Sequence, residues 1–233
     1  MRYIIVGGTS GIGLATATLA IEAGHSVLAA GRDPAKFQAA RAVGAETMQL
    51  DASDQAACAR FFAAAGPFDH LVLCVSGSGG SGAFRELDLD ALRAGFEGKF
   101  WPQLSCAKAA LGSLDRAGSI TFVGSISSRA RQPGTSGLAA INAALEAMVP
   151  ILASELRPLR VNAVAPGVVD TPWWSRVPEE NRQVLFQQLA SQVAVGRVGQ
   201  PQDLAAAILL LTTNTFITGT VLDCDGGWKL KNA

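Results

Sequence analysis

The segment Gly7-Gly8-Thr9-Ser10-Gly11-Ile12-Gly13 lies between two apolar runs of different period. The preceding run, Tyr3 to Val6, is short and aliphatic, which predicts a β-strand. The following run, Leu14 to Ala23, is amphipathic with helical spacing. The glycines therefore occupy a strand-loop-helix turn, which is the arrangement that opens a parallel α/β sheet.

Within this loop the glycines have separate tasks. Gly7 can adopt the tight turn, Gly11 lets the backbone approach a ligand, and Gly13 permits close packing of the helix. The helix N-terminus presents amide groups and a positive dipole, which favour a phosphate group. The loop therefore predicts a dinucleotide-binding site, with contacts from Gly7, Thr9, Ser10, Gly11, Ile12 and Gly13.

Outward from the loop, short aliphatic runs alternate with longer alanine-rich segments of helical period. The predicted strands are Tyr3 to Val6, Ser26 to Ala30, Glu46 to Leu50, Asp69 to Val75, Ser119 to Val123, Arg160 to Val164 and Thr220 to Asp223. Continuous apolar strands are typical of parallel sheets that are buried on both faces. The pattern predicts a doubly wound Rossmann fold of the α/β class, with about seven parallel strands and helices on both faces.

Side chains at the predicted helix starts agree with this division. Pro34 and Pro201 suit first turns, and Ser53 and Asp88 suit N-caps. We expect one domain over residues 1–233, because the chain can bury one large core and shows no repeat or linker.

Two segments are predicted to be mobile. The glycine-serine stretch from Ser76 to Gly82 directly follows the fourth strand. The polar segment 171–192 carries Trp173 and Trp174 and is interpreted as a lid. The two tryptophans fit either contact with a flat ligand or the packing of a lid or an oligomer contact.

Composition excludes several classes of partner. Lys plus Arg equals Asp plus Glu, at 19 each, so no net field attracts nucleic acid or an anionic membrane. No apolar stretch approaches the roughly 20 residues that span a bilayer, and the N-terminal apolar run is too short for a signal peptide. The four cysteines form no Cys-x-x-Cys pair, so we expect reduced thiols, no metal site and a cytoplasmic protein.

The spacing Gly-x-x-x-Gly-x-Gly resembles the loop of the short-chain dehydrogenase/reductase family, and the likeness extends over the whole chain. Asp51, Pro166-Gly167 and the late Asp225-Gly226-Gly227 also match family segments. The resemblance implies that Asp51 contacts adenine and that Pro166 and Gly167 line the nicotinamide pocket. It further implies that the Val169 backbone and the Thr171 hydroxyl hold the carboxamide.

The residue after the second strand selects the dinucleotide. Gly31-Arg32 stands where an acid would bond the ribose of NAD, and an arginine offers a charge-assisted fork to the 2′-phosphate of NADP. NADP(H) is therefore predicted, with NAD less favoured. The alternatives are that Arg32 is a solvated turn residue, or that Asp33 pairs with it or caps the next helix.

The catalytic residues implied by the resemblance are incomplete. Ser125 fits the family serine, but Leu138 stands at the tyrosine position and Asn142 at the lysine position. The one tyrosine of the chain is Tyr3, inside the first strand. Ser125 and Ser127 remain as neutral hydrogen-bond donors, with no base to activate them.

Lys99 falls at the family's asparagine position, so lysine and asparagine look exchanged between two neighbouring helices. The predicted consequence is that Lys99 reaches the same volume as the missing lysine, with a lowered pKa, as a proton donor or relay. The alternative is a surface lysine whose stem covers the helix.

Other polar residues have simpler interpretations. Arg129 and Arg131 are expected near the substrate mouth or in solvent. His25 and His70 lie at the far end of the sheet and are expected to be structural. Cys74 is expected to pack as a small hydrophobic side chain.

Three functions fit the sequence. The first is an atypical NADP(H)-dependent oxidoreductase that acts on a carbonyl or alcohol, or on an activated double bond, of a small molecule. The second is a catalytically silent NADP(H)-binding sensor or scaffold. The third, a lyase or dehalogenase with the dinucleotide site abandoned, is opposed by the retained loop. The resemblance also implies a homodimer or homotetramer.

Overall fold

The computed structural model describes residues 1–77 and 79–232. Its seven strands are β1 (Arg2–Val6), β2 (Ser26–Gly31), β3 (Glu46–Gln49), β4 (Phe68–Leu73), β5 (Leu114–Val123), β6 (Arg160–Pro166) and β7 (Val221–Cys224). They form one sheet in the order β3-β2-β1-β4-β5-β6-β7, with every pair parallel. The predicted doubly wound Rossmann fold is confirmed.

Helices connect the strands on both faces of the sheet. They are α1 (Gly11–Glu22), α2 (Phe37–Ala42), α3 (Gln55–Ala65), α4 (Leu89–Ala110), α5 (Ser136–Glu155), α6 (Glu179–Ala190) and α7 (Pro201–Thr213). One face of the sheet packs against α3, α4 and α5, and the other against α1 and α7. The strand order reverses between β1 and β4, which is where a doubly wound sheet opens a crevice for ligands.

The five inner strands can be recognised in the sequence because both of their faces are largely buried, whereas the edge strands β3 and β7 contain no buried residue. All seven residues of β6 are buried, and so are four of the five in β1. Apolar residues in such strands run continuously instead of alternating with polar ones. Apolar runs therefore marked the inner strands, although β5 begins at Leu114, before the predicted Ser119.

Most helix starts agree with the sequence, and one does not. Asp88 caps α4, Pro201 is the first residue of α7, and Pro34 opens a short 3-10 turn before α2. The prediction that Ser53 caps α3 is wrong, because the next residue, Asp54, accepts the hydrogen bonds of the first-turn amides. A carboxylate accepts these bonds with added electrostatic benefit at the positive helix end.

Helix α5 corrects the expectation about apolar stretches. An 18-residue window within its 20 residues has a mean hydropathy of 1.5, so by length and composition alone this helix is able to cross a membrane. Its inward side chains, including Ile141, Leu145 and Val149, are buried, and the helix packs against α4 and β6. The alanine-rich stretch is thus longer and more apolar than the sequence pattern suggested, and it covers the sheet.

The two segments that were predicted to be mobile, 76–82 and 171–192, contain little or only short regular secondary structure. Ser78, in the stretch from Ser76 to Gly82, lies outside the described residues. Segment 171–192 contains a 3-10 turn, Pro172–Trp174, and helix α6, none of whose residues is buried. A helix that packs so little of its surface against the core is held by few tertiary contacts.

His70 lies in the core at the N-terminal end of the sheet. Its Nδ1 is 2.9 Å from Ser119 Oγ, and its ring is 4.7 Å from that of Tyr3. Burial lowers the pKa of His70 to about 4, and the nearby positive charge of Arg160 adds to this effect. The histidine is therefore neutral at pH 7 and has the structural role that the sequence predicted.

This buried imidazole predicts an acid-sensitive fold. Because the folded pKa is below that of an unfolded histidine, the unfolded chain takes up the proton first as the pH falls. We expect His70 to cost about 3 kcal/mol of unfolding free energy between pH 6.5 and 4. Urea unfolding of His70→Gln across this range should show a shallower pH slope than wild type, and an unchanged slope contradicts the assignment.

Candidate active site

A cleft of about 620 Å³ lies at the C-terminal ends of β1, β4, β5 and β6. All fifteen residues predicted to bind the cofactor or to take part in catalysis line it: Gly7, Thr9, Ser10, Gly11, Ile12, Gly13, Arg32, Asp51, Lys99, Ser125, Asn142, Pro166, Gly167, Val169 and Thr171. They come from all parts of the chain. The fold therefore brings the predicted residues to one place at the reversal point of the sheet.

The glycine loop has no room for side chains at its turn. Gly7 and Gly11 have positive φ angles of 82° and 51°. A Cβ at Gly13 would lie 2.2 Å from Gly7 O, so helix α1 packs directly on the turn. Ser10, the N-cap of α1, makes no side-chain cap. The amides of this first turn are therefore oriented toward the cleft without a capping side chain, as a phosphate site requires.

At the β2 end of the cleft, Arg32 is exposed and has no carboxylate within salt-bridge distance among the described residues. Asp33 accepts a hydrogen bond from Ala35 N at 3.0 Å, so it caps the following turn instead of pairing with Arg32. Of the alternatives for Asp33, the cap is the one observed. The guanidinium remains available to a ligand.

Asp51 lies across this end of the cleft. It accepts hydrogen bonds from both the amide and the hydroxyl of Ser53, at 3.0 and 2.7 Å. These bonds, with the side-chain bond first, hold the pKa of Asp51 below its ordinary value. Asp51 is thus a fixed carboxylate beside the β2 and β3 strand ends.

The opposite wall follows β6. A Cβ at Gly167 would lie 2.7 Å from Asp225 Cα, so only glycine fits between the two loops. Val169 forms a bridge with Gly199, which fixes the backbone of this wall. Thr171 lies beside the glycine loop, with its Cβ 3.5 Å from the position of a Cβ at Gly11. The β1 and β6 loops therefore close around the same space.

Lys99 and Asn142 meet in one corner of this cleft, from α4 and α5. Lys99 is 8% exposed, and its Nζ donates to Gly124 O at 2.9 Å. Asn142 Nδ2 donates to Ser127 Oγ at 3.1 Å, while the buried Asn142 Oδ1 has no hydrogen-bond partner. A Cβ at Gly124 would be 3.8 Å from Asn142 Oδ1, so both side chains lie next to Gly124.

Burial changes the titration of Lys99. Desolvation lowers its pKa to about 8, and the negative charge of Glu146 opposes this shift. The alternative of a surface lysine therefore does not hold, because the packing of α4 against α5 encloses the side chain. Ser125 also lines the corner, and its Oγ accepts from Ser127 N at 3.3 Å.

Cys74 follows β4 and forms the floor of the cleft beside Gly7. It packs against the apolar cluster on the α1 side of the sheet. Burial raises the pKa of the Cys74 thiol to about 12, so it stays protonated and packs as a small apolar group.

Arg129 corrects an expectation about the substrate mouth. Its guanidinium forms ion pairs with Glu146 and Asp223, and Asp223 also pairs with Lys229. Two carboxylates hold Arg129 away from the cleft, which it does not line. Arg131 lines a neighbouring surface groove instead. The sequence missed this network because Asp223 is 94 residues away from Arg129.

Three tryptophans line the cleft. Trp173 Nε1 donates to Gly77 O at 3.2 Å, which joins segment 171–192 to the loop after β4. Trp174 donates to Val169 O and packs edge-on against Phe186 of α6. Trp228 also reaches the cleft and was missed. Its position, directly after Asp225-Gly226-Gly227, was the available signal.

Other candidate chemistry is limited in the part of the chain that the structure describes. No group of three or more His, Cys, Asp or Glu side chains there can hold a metal ion, and Cys58, Cys74, Cys106 and Cys224 are free thiols.

Known proteins resemble the chain over its whole length. A family profile described as enoyl-(acyl carrier protein) reductase matches residues 6–229. A short-chain dehydrogenase/reductase of Stachybotrys chlorohalonatus is 31% identical over 98% of this chain and 96% of its own. A small-chain dehydrogenase solved in complex with NADPH is 32% identical, with a TM-score of 0.87 over 99% of both chains.

A third relative is a short-chain oxidoreductase of Pseudomonas aeruginosa PAO1 that is described as containing an atypical catalytic centre. It is 30% identical, with a TM-score of 0.87 over 97% of this chain and 96% of its own. Sequence, fold and the glycine-loop cleft agree, and the chain belongs to the short-chain dehydrogenase/reductase family of oxidoreductases.

Proposed function

We propose that this protein is an NADP(H)-dependent oxidoreductase with a non-standard active site. Its small-molecule substrate is a carbonyl or alcohol, or an activated double bond. One observation carries the proposal. The cleft that contains the glycine loop is also lined by a buried lysine, Lys99. The NADPH complex of a 32% identical relative supports the choice of cofactor.

The residues of the cleft fit a dinucleotide. The loop leaves a cradle that a Cβ at Gly7 or Gly13 would fill, and the first-turn amides suit a pyrophosphate. Arg32 lacks a carboxylate partner and suits a 2′-phosphate. Asp51 would meet adenine, Pro166 and Gly167 would wall the ring, and Val169 and Thr171 would hold the carboxamide. When bound, reduced nicotinamide supplies a hydride.

The proposed departure from the family lies in the proton donor. Leu138 and Asn142 occupy the tyrosine and lysine positions, and no tyrosine is among the described residues that line the cleft. Tyr3 is fully buried in β1, with its hydroxyl 3.0 Å from Thr212 Oγ1. We propose that the proton comes from Lys99, Ser125 or ordered water. General acid catalysis typically contributes 10²–10⁴-fold, so its weakening slows a reaction without abolishing it.

Tyr3→Phe tests whether the one tyrosine is structural. We expect the variant to lose about 1 kcal/mol of unfolding free energy, because the buried Thr212 hydroxyl loses a partner. NADPH affinity and turnover should match wild type. Thr212→Val removes the other end of the same hydrogen bond and is the matched control. A large loss of turnover in Tyr3→Phe alone contradicts the structural role.

A second candidate function is an NADP(H)-binding pseudoenzyme that acts as a sensor or scaffold. The apolar side chain of Leu138, which lines the cleft where the family carries its acid, favours this function. It predicts tight binding of the nucleotide without turnover.

The same proposal includes the organisation of the chain. Residues 1–233 form one domain, and segment 171–192 acts as a lid that Trp173 ties to the loop after β4. The assembly is a cytoplasmic homodimer or homotetramer that uses α4, α5 and β7. Sedimentation with and without NADPH measures the assembly.

Titration of the purified protein with NADPH and NADH, followed by nucleotide fluorescence, tests the proposal. Stopped-flow measurement of NADPH oxidation against a panel of ketones, aldehydes and enones follows. Tight NADPH binding with turnover supports the oxidoreductase, and binding without turnover supports the pseudoenzyme. Failure to bind either nucleotide contradicts both.

A further inference from the structure

The ammonium group of Lys99 is buried in the cleft with little charge compensation. Its one hydrogen-bond acceptor among the described residues is Gly124 O. No described carboxylate lies within 4.0 Å of Lys99 Nζ. A buried cation is costly unless an anion pairs with it. The corner therefore has a positive charge that the protein itself leaves unpaired.

The charged groups around Lys99 do not neutralise it. Glu146, on α5, is the carboxylate whose negative charge raises the pKa of Lys99. Its oxygens already accept hydrogen bonds from Ser128 Oγ and Arg129. Cys74, below the corner, is a neutral thiol at physiological pH. On α4 itself, Glu97 is exposed to solvent. None of these groups forms an ion pair with Lys99.

Most of the residues that line the cleft together with Lys99 are apolar or neutral, and Glu97, a charged exception on α4, is exposed to solvent. The apolar lining includes Ile126, Leu138, Ile141 and Trp173, and the neutral donors are Ser125 and Ser127. An apolar, flat molecule with one polar atom fits these walls better than a polyhydroxylated one does. Because the ammonium of Lys99 has no ion-pair partner, we expect the polar atom of the bound molecule to carry negative charge at some stage of the reaction.

We propose that Lys99 Nζ forms an oxyanion site, and that the cleft takes a flat, apolar α,β-unsaturated carbonyl compound as substrate. This inference rests on the proposed oxidoreductase function and narrows it to the reduction of an activated double bond. Lys99 is then a catalytic residue that touches the carbonyl oxygen of the substrate. Ser125 is the neutral second donor at this oxygen.

The atoms and electrons of this reaction balance as follows. Reduced nicotinamide, when bound, would be the reductant, and the β-carbon of the substrate would accept its hydride. The π electrons of the double bond move to form a new α-carbon to carbonyl-carbon double bond, and the carbonyl oxygen becomes an enolate oxygen. Lys99 holds this oxygen by a charge-assisted hydrogen bond. A proton from Lys99 or water then reaches the α-carbon, and the saturated carbonyl compound leaves.

The geometry favours an enolate over an alkoxide. Direct reduction of a carbonyl produces an alkoxide, which is a far stronger base and needs a proton donor as it forms. The family's tyrosine position holds Leu138, which has no proton to give. An enolate needs only electrostatic stabilisation, and a buried lysine supplies it. Since burial lowers the pKa of Lys99 to about 8, the group is still mostly charged at pH 7.

Binding of para-nitrophenol tests the oxyanion site without turnover. The phenolate absorbs visible light and the neutral phenol does not, so absorbance reports the ionisation of the bound molecule. We expect wild type to bind the phenolate at least ~10-fold more tightly than the phenol, which lowers the pKa of the bound molecule by about one unit or more. Lys99→Met should abolish this preference, and Lys99→Arg should keep part of it.

Lys108→Met is the matched control, because Lys108 is an exposed lysine at the end of the same helix. It should bind phenolate as wild type does. Circular dichroism and NADPH titration of each variant separate loss of the site from loss of the fold. A wild type without phenolate preference, or Lys99→Met with the wild-type preference, overturns the inference.

Turnover provides the second readout. With NADPH, wild type should convert benzylideneacetone to benzylacetone, identified by its mass, and should reduce the carbonyl of benzylacetone at least ~10-fold more slowly. Faster carbonyl reduction overturns the inference while the oxidoreductase function stands. If NADPH does not bind but phenolate does, the proposed function is wrong and the oxyanion site stands.

Discussion

Gly13→Ala should lower NADPH affinity roughly 100-fold and the unfolding free energy by about 3 kcal/mol. The added Cβ would lie 2.2 Å from Gly7 O and 3.0 Å from Gly8 Cα, so either the loop or helix α1 must move. A moved helix no longer aims its first-turn amides into the cleft. Loss of about two charge-assisted hydrogen bonds to a phosphate accounts for the affinity change.

The measurement is a fluorescence titration with NADPH beside a urea unfolding curve. Gly112→Ala is the control, because a Cβ at Gly112 meets nothing within 4 Å. We expect this control to bind NADPH as wild type does. If Gly13→Ala retains wild-type affinity, the pyrophosphate does not bind at this loop, and the cofactor site must be assigned elsewhere.

Arg32→Ala should lower NADPH affinity roughly 10- to 100-fold and change NADH affinity less than about threefold. The reason is the unpaired guanidinium at the end of β2, which meets the phosphate that NADPH has and NADH lacks. Charge-assisted hydrogen bonds of this kind contribute about 1.5–3 kcal/mol. The ratio of the two affinities isolates this contact from general damage to the site.

Parallel titrations with both nucleotides measure this ratio. Arg41→Ala is the matched control, since Arg41 is an exposed arginine of the neighbouring helix α2 that contacts Thr47 and Phe37 and does not line the cleft. Equal losses for NADPH and NADH would show that Arg32 does not read the 2′-phosphate. The choice of NADP over NAD would then be wrong.

The Arg129 network shows where the sequence pattern stops. Arg129 follows the serines of the β5 loop, and that position alone suggested a role at the mouth of the cleft. Its two carboxylate partners come from α5 and β7. These carboxylates lie 17 and 94 residues from Arg129 along the chain, so no local pattern could identify them as its partners.

The sequence by itself determined the inner strands, their parallel arrangement and the glycine loop of the cleft. Burial of the five inner strands leaves runs of apolar residues, and the glycine loop requires residues without Cβ atoms, so both are visible locally. Arg32 followed from its position directly after β2, and Asp51 followed from the resemblance to the family.

Only the tertiary structure decided the state of Lys99. Counting along α4 placed it opposite Asn142, but the sequence left a surface lysine equally open. Burial, the hydrogen bond to Gly124 O and the distance from any carboxylate arise where α4 packs against α5. Desolvation and charge pairing depend on neighbours that are distant along the chain. The local pattern of apolar and polar residues does not show which neighbours these are.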